Sequence, residues 1–347
     1  MTFTTTTGAD NSTRELQQLS YGRPFIADIL LNSIVRSYGH SRIVLLSFLP
    51  LVFIVGAFGN VASVLVMSSH KFRRYSYANY AIALSVSDLM MCSSFAGFPL
   101  LQYVLVKLNN LDGIRFRNAI ECTLYDTVFL LFAYCSTWLV VAVSVERLAV
   151  VVFPFTAPLL CTPRFSRVVI ICIFLVNVVI CLATNIDGFQ HSEVKGCYTI
   201  IQSQQTTTDS SAKFLVIYMS LLPFSIIATS NTIIVFVLNF NSRQLEGKTR
   251  NEVKSARAVQ TTKMLLAVSV VFLVTMVPHN ILVVWATLPA ENADLIVNIF
   301  GMFRCCNYAV NFFIYILVGK DVRSYVRLKV SVAFHCTDEN KNLYNRN

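Results

Sequence analysis

The 347-residue chain carries little charge. Asp, Glu, Lys and Arg together make up 13% of it, where a soluble domain has about 25%. It holds no Gly-rich lysine loop of the kind that cradles phosphates, no clustered His/Cys spacing suited to a metal, and no serine, histidine and acid arrangement outside its apolar runs. These absences argue against an enzyme. No internal repeat, paired broken apolar segment or row of acids along one run is present. That argues against a transporter or a channel, the rival class for a chain of this composition. No Gly-rich linker divides the chain, so one domain is expected, and the polar, Thr/Ser-rich first ~40 residues lack the apolar core of a signal peptide.

What is present is apolar. Hydrophobic residues make up 55% of the chain, and the mean hydropathy is +0.61. Seven long apolar runs span Ile43–Ser69, Tyr77–Leu105, Cys122–Val152, Val168–Ala183, Phe214–Phe240, Met264–Leu288 and Leu295–Gly319. Each is near or above the roughly 17–25 residues that cross a bilayer, the fourth being the shortest. The third is the most informative. Arg147 follows Cys122 by 25 residues, about 37 Å at a rise of roughly 1.5 Å per residue, so one span joins a cysteine at one face to a charged pair at the other. The fold expected is an all-α, seven-transmembrane helix bundle over 43–319, with an N-terminal tail over 1–42 and an amphipathic helix and tail over 320–347.

The net charge of +10 could suggest nucleic acid, but its placement says membrane. Lys71, Arg73 and Arg74, then Arg164 and Arg167, then the Arg243–Lys263 connector and the tail carry the positive excess. The alternate connectors mix signs. The positive-inside rule puts the first set in the cytosol and the N-terminus outside. The N-terminus therefore starts beyond a first span that acts as its own anchor. Asn11-Ser12-Thr13 is then an extracellular glycosylation sequon at Asn11.

Of ten cysteines, eight lie in or near spans or in the cytosolic tail. Only Cys122 and Cys197 face the oxidising side. They can form a bridge tying the third span to the second extracellular loop, or stay as two thiols. Past Gly319, basic and apolar residues alternate at helical spacing over Lys320–Val332, the pattern of a helix lying on the inner lipid leaflet. Cys336 follows as a candidate for palmitoylation, against the alternative of an unmodified tail thiol.

In order along the chain stand Gly59-Asn60, Leu84-Ser85-Val86-Ser87-Asp88, Cys122, Glu146-Arg147-Leu148 followed by Pro154, Pro223, Phe272 with Pro278, and Asn311-Phe312-Phe313-Ile314-Tyr315. With these motifs the chain resembles the rhodopsin-like (class A) G-protein-coupled receptors over nearly all its length. The seventh-span stretch Asn307–Tyr315 with Gly319-Lys320, and Phe58–Val66, resemble the invertebrate FMRFamide-type neuropeptide receptors. There are departures. The fourth run lacks the family's tryptophan, with Phe174 in that stretch. Met276 stands at the toggle tryptophan, Phe312 at the seventh-span proline and Asn231 at the fifth-span tyrosine. The charged motif is Glu-Arg-Leu rather than Asp-Arg-Tyr.

The resemblance implies roles residue by residue. Asp88, Ser136, Asn307 and Asn311 match the oxygen ligands of an allosteric sodium ion, with a structural hydrogen-bonded cluster as the alternative; no other cofactor is implied. Glu146 and Arg147 match the off-state pair, and Arg147 is expected to turn toward Asn231 and Tyr315 when the sixth span swings outward about Pro278. Phe155 matches the apolar plug into a heterotrimeric G protein. The position of the family's acidic lock on the sixth span holds Ala258, which predicts raised basal activity.

Arg304 lies 11 residues before Tyr315, about 16 Å along a helix. It is expected inside the bundle, paired with Asp126 or touching ligand. His279 and Asn280 are expected to face the same cavity. Cys305 matches the lysine that binds retinal and Phe129 the monoamine aspartate, so the resemblance excludes both ligands; Asp126 lies nearly one turn too high. An extracellular peptide of amidated Arg-Phe type fits better, its cation received by acids at the mouth (Asp126, Asp187, Glu193, Glu291, Asp294) and its rings by Tyr103, Tyr125 and Phe129. Most of these acids can equally be solvated loop charges. The expected function is a plasma-membrane neuropeptide receptor acting on heterotrimeric G proteins, in contact with lipid and not nucleic acid. A class A chemosensory receptor for a small molecule is the alternative.

Overall fold

The computed structural model describes residues 40–104, 119–185, 189–192, 196–199, 217–244, 252–285 and 290–344. Seven long helices are found there. The first is His40–Met67. The second runs Ser76–Cys92, opens into a π-helical turn at Ser93–Gly97 and resumes as Phe98–Tyr103. The third is Ala119–Val152 and the fourth Pro163–Asn185. The fifth begins with a π-helical turn at Ile217–Leu221 and continues as Leu222–Gln244. The sixth is Glu252–Trp285, the seventh Ala290–Val318, and an eighth helix follows at Lys320–Tyr344.

Among the described residues, six of these helices hold an unbroken stretch long and apolar enough to cross a membrane. The second completes the seven although its α-helical pieces are shorter. Its wide turn has a local cause. The Phe98 amide donates to the Ser93 carbonyl, five residues back, and Pro99, next in the chain, has no N–H with which to resume the α ladder.

The bundle closes as a ring. The third helix packs on the second, fourth, fifth and sixth, and the seventh packs on the sixth, first and second. In lipid, close approach rather than water exclusion holds helices together, so small residues mark the crossings. Gly56 is one: a Cβ there would come within 2.5 Å of Cys92 Sγ. Large apolar side chains such as Leu51, Ile54, Phe58, Leu175 and Val179 are exposed on the outside, facing where lipid belongs. Phe174, in the stretch without the tryptophan, is among them.

Several boundaries differ from expectation. The fourth helix starts at Pro163, five residues before the apolar run. Thr162 Oγ1 accepts the Phe165 amide at 3.2 Å, and proline suits a first helical turn; Arg164 and Arg167 had masked this start in the hydropathy. The sixth helix extends back into the basic connector to Glu252. The eighth runs beyond the expected Val332 to Tyr344. The second loop also contains a hairpin that the all-α expectation lacked. Strand β1 (Phe189–Ser192) pairs antiparallel with β2 (Gly196–Thr199), placing His191 opposite Cys197, and β1 packs on the third helix.

Between seventh and eighth helices the chain turns sharply at Gly319, whose amide donates to the Tyr315 carbonyl at 2.9 Å. A Cβ at Gly319 would come within 2.6 Å of Met264 Sδ on the sixth helix. The eighth helix is anchored to the first connector. Phe72, 1% exposed, meets the Tyr325 ring edge-on at 5.5 Å, and Lys71 Nζ lies over both rings and donates to the Asp321 carbonyl at 3.3 Å.

Candidate functional site

Two polar clusters sit inside this apolar bundle, and both contain residues singled out by the sequence. The first surrounds Asp88 on the second helix, which is 0% exposed. Ser136 Oγ of the third helix donates to its Oδ1 at 2.7 Å, and Asn311 Nδ2 of the seventh donates to its Oδ2 at 2.6 Å. Asp88 thereby ties three helices together. Asn307, the fourth residue of the expected set, instead faces the Thr275 hydroxyl of the sixth helix at 3.3 Å. Beside this cluster Asn60 Nδ2 donates to the Tyr308 carbonyl at 2.8 Å, joining first helix to seventh.

The second cluster lies at the far end of the third helix. Glu146 and Arg147 form an ion pair and are 8% and 7% exposed. Ser76 Oγ, at the start of the second helix, donates to Glu146 Oε1 at 2.7 Å, and the Arg147 guanidinium lies over the Tyr77 ring at 5.9 Å. Cys161 Sγ lies 4.0 Å from the Glu146 carbonyl. Burial, and then the Glu146 charge, push that thiol above its usual range, so it stays a neutral donor. Capacity is left over here: Glu146 Oε2 and Arg147 Nε are buried without a hydrogen-bond partner. So is Asn231 Nδ2 on the fifth helix, whose oxygen faces Ser269 Oγ of the sixth at 3.0 Å. Tyr315 is buried on the seventh helix at 1% exposure.

The hinge residues are packed. Phe272 and Met276 are 1% and 4% exposed, Phe272 against Phe224 at 5.9 Å, and Pro278 lies inside the unbroken sixth helix. Phe155 is the opposite case. It is 95% exposed, next to exposed Phe153 and Leu159, in the short connector after the third helix.

Toward the other end of the bundle, Arg304 Nε donates to Tyr308 Oη at 3.3 Å, one turn along the seventh helix. Tyr125 Oη donates to the Ser94 carbonyl at 3.1 Å in the wide turn of the second helix, and its ring packs on Phe98 at 5.1 Å. Phe129 is 4% exposed and sits in the core. The side chains of Tyr103, Cys122, Asp126, Cys197, Ala258, His279, Asn280 and Cys336 lie outside those described, as does Asn11 with the whole N-terminal tail. The Arg304–Asp126 pair and the Cys122–Cys197 bridge fall on them.

Sequence reasoning missed the partners rather than the centres. Ser76 lies just before an apolar run and Tyr77, Thr275 and Ser269 lie within one, and only the packing brings them to Glu146, Arg147, Asn307 and Asn231. Among the described residues no group of three or more His, Cys, Asp or Glu could hold a metal.

Comparison with known proteins fits this arrangement. Residues 59–315 match the family model described as 7 transmembrane receptor (rhodopsin family). The chain is 26% identical over 310 residues to the C5a anaphylatoxin chemotactic receptor 1 of Oncorhynchus mykiss, covering 85% of this chain and 83% of that protein. It is 26% identical over 300 residues to the neuromedin-U receptor 2 of Mus musculus, covering 81% and 73%. With the neuropeptide receptor npr-1 of Caenorhabditis elegans it shares 23% over 214 residues, covering 61% and 45%. The match takes in the buried Asp88 cluster, the Glu146–Arg147 pair and the seventh helix as far as Tyr315. The chain is therefore a multi-pass membrane protein, a receptor rather than an enzyme, and belongs to the rhodopsin family of seven-transmembrane receptors.

Proposed function

We propose that the protein is a plasma-membrane receptor for an extracellular peptide and that it activates heterotrimeric G proteins from the Arg147 end of its bundle. The observation that carries this reading is the buried Glu146–Arg147 pair with an unused hydrogen-bonding atom on each partner. A buried ion pair with unspent donors and acceptors is ready to exchange partners, because every alternative contact recovers part of its desolvation. Outward movement of the sixth helix about Pro278 opens the space next to Arg147. Arg147 then turns toward Asn231 and Tyr315, and Phe155, held out in the solvent-facing connector, enters an apolar pocket of the G protein. This end is cytosolic by its positive charge, which leaves the N-terminus and Asn11 outside.

The peptide reading draws on the three relatives named above, which are receptors for peptide or protein signals by their names. The ligand is received at the opposite end by Tyr103, Tyr125, Asp126, His279, Asn280 and Arg304, under a loop held to the third helix by a Cys122–Cys197 bridge. An amidated Arg-Phe peptide remains the favoured class. The eighth helix lies on anionic lipid, with Cys336 available to an acyl chain. Asp88 has two neutral donors and is wholly buried, so a small cation suits it; Asp88, Ser136, Asn307 and Asn311 would hold sodium, which would supply the missing positive charge.

The test is G-protein dissociation in cells expressing the full chain, challenged with a pool of amidated neuropeptides beside an Arg147→Ala control. A response lost in the control at equal surface expression is expected. Silence of the wild-type protein at confirmed surface expression sinks the peptide reading and favours the small-molecule one.

A further inference from the structure

The sixth helix has to leave its neighbours if the protein signals, and the Glu146–Arg147 ion pair is internal to the third helix. Its hold is on the seventh helix instead. The last four carbonyls of an α-helix have no partner within it. In the seventh helix each is nevertheless satisfied. The Tyr315 carbonyl accepts the Gly319 amide at 2.9 Å, and those of Ile316 and Leu317 share Arg323 Nη1 at 3.4 and 2.9 Å. The fourth, Val318, accepts the side-chain amide of Gln260, a residue of the sixth helix.

A second contact lies one turn further along. Met264 is 3% exposed and its sulfur reaches the space over Gly319 that a side chain would otherwise fill. Gln260 and Met264 are four apart, on one face of the sixth helix, and both meet the seventh-to-eighth elbow. That elbow is fixed to the first connector by Phe72, Tyr325 and Lys71, so it is an anchored point.

We propose that Gln260 is a positioning residue that clasps the lower half of the sixth helix to the Val318 carbonyl, holding the resting state where Ala258 leaves no carboxylate to do so. Outward movement strips Val318 of its donor, and glycine suits position 319 because a Cβ there would run into the Tyr315 carbonyl and, at 2.6 Å, into Met264 Sδ. The inference rests on the reading of the chain as a receptor whose sixth helix moves outward. It places a neutral hydrogen bond, unaffected by pH and weakly by salt, in the role that an ionic lock would fill.

The experiment measures the distance between spin labels carried by ketone-bearing unnatural residues in place of exposed Lys263 on the sixth helix and exposed Arg167 on the fourth. The native cysteines stay intact, and the purified full chain needs no ligand or G protein. Gln260→Ala is expected to enrich a longer-distance population about two- to tenfold, the range one neutral hydrogen bond commands. Gln260→Lys keeps a donor aimed at a helix C-terminus and is expected to restore the short distance. Distance distributions that coincide in wild type and Gln260→Ala overturn the clasp, as does a Gln260→Lys protein that stays open. Basal G-protein dissociation in cells is read in parallel. A widened distance without a rise in basal dissociation leaves the clasp standing and counts against the receptor mechanism instead.

Discussion

Asp88 and Arg147 are both ionisable, both inside an apolar bundle, and surrounded in opposite ways. Asp88 is met by neutral donors on both oxygens and joins three helices. Arg147 is met by a carboxylate on the neighbouring residue of its own helix and by the face of Tyr77, with its Nε unused. The first arrangement satisfies hydrogen bonds but brings no opposite charge to the carboxyl. The second compensates the charge but leaves hydrogen bonds unmade. A site of the first kind suits a small cation and a fixed geometry. A site of the second kind suits a change of partners. Ionisable groups within spans are costly enough that each of these surroundings points to a use.

The strongest way to break this comparison is to remove Arg147. Arg147→Ala is expected to abolish peptide-driven G-protein dissociation while surface expression, read by antibody on intact cells, persists. If the protein fails to reach the surface, Arg147 belongs with Asp88 as a structural group. Phe155→Ala is the next largest. An exposed side chain contributes little to folding, so thermal stability should stay within about 0.5 kcal/mol of wild type while coupling falls severalfold. A parallel loss of stability would mean that Phe155 packs on something in the membrane.

Asp88→Asn sharpens the other half. Replacing choline by sodium should raise the thermal midpoint of the purified wild-type protein by a few degrees, roughly 1–2 kcal/mol of linkage, and leave the variant unmoved. Equal response in both would assign the cluster to hydrogen bonding alone. Ser76→Ala removes the donor to Glu146 Oε1 and should loosen the resting pair by about 1 kcal/mol, raising basal signalling severalfold. Smallest is Ala258→Glu, which adds a carboxylate on the sixth helix. A modest fall in basal dissociation is expected, and no change would count against an off-state left loose by Ala258.

The centres of both clusters are legible in the sequence. Asp88 interrupts an apolar run, and Glu146-Arg147 ends one, so hydropathy alone marks them as expensive. Their partners are not. Ser76 is 70 residues from Glu146 and Asn311 is 223 from Asp88, and a hydroxyl or amide in an apolar run gives no sign of which helix it will meet. Asn307 shows the same limit: its oxygen faces the Thr275 hydroxyl of the sixth helix, a partner its own run does not announce. The fourth helix start was hidden because arginines within its first turn lower the hydropathy that a Thr-Pro cap does not need.

By itself the sequence determined the number of crossings, their order and the sign of each connector, because length in apolar residues and charge outside them are additive properties that lipid reads directly. Only the tertiary structure decided the Tyr125 contact with the Ser94 carbonyl, the hairpin on the third helix, and the attachment of the sixth helix through Gln260 to Val318. Those depend on which backbone carbonyls lose their own partners and which side chain lies within reach of them. Reach across a bundle is set by the crossing of helices and not by position along any one of them.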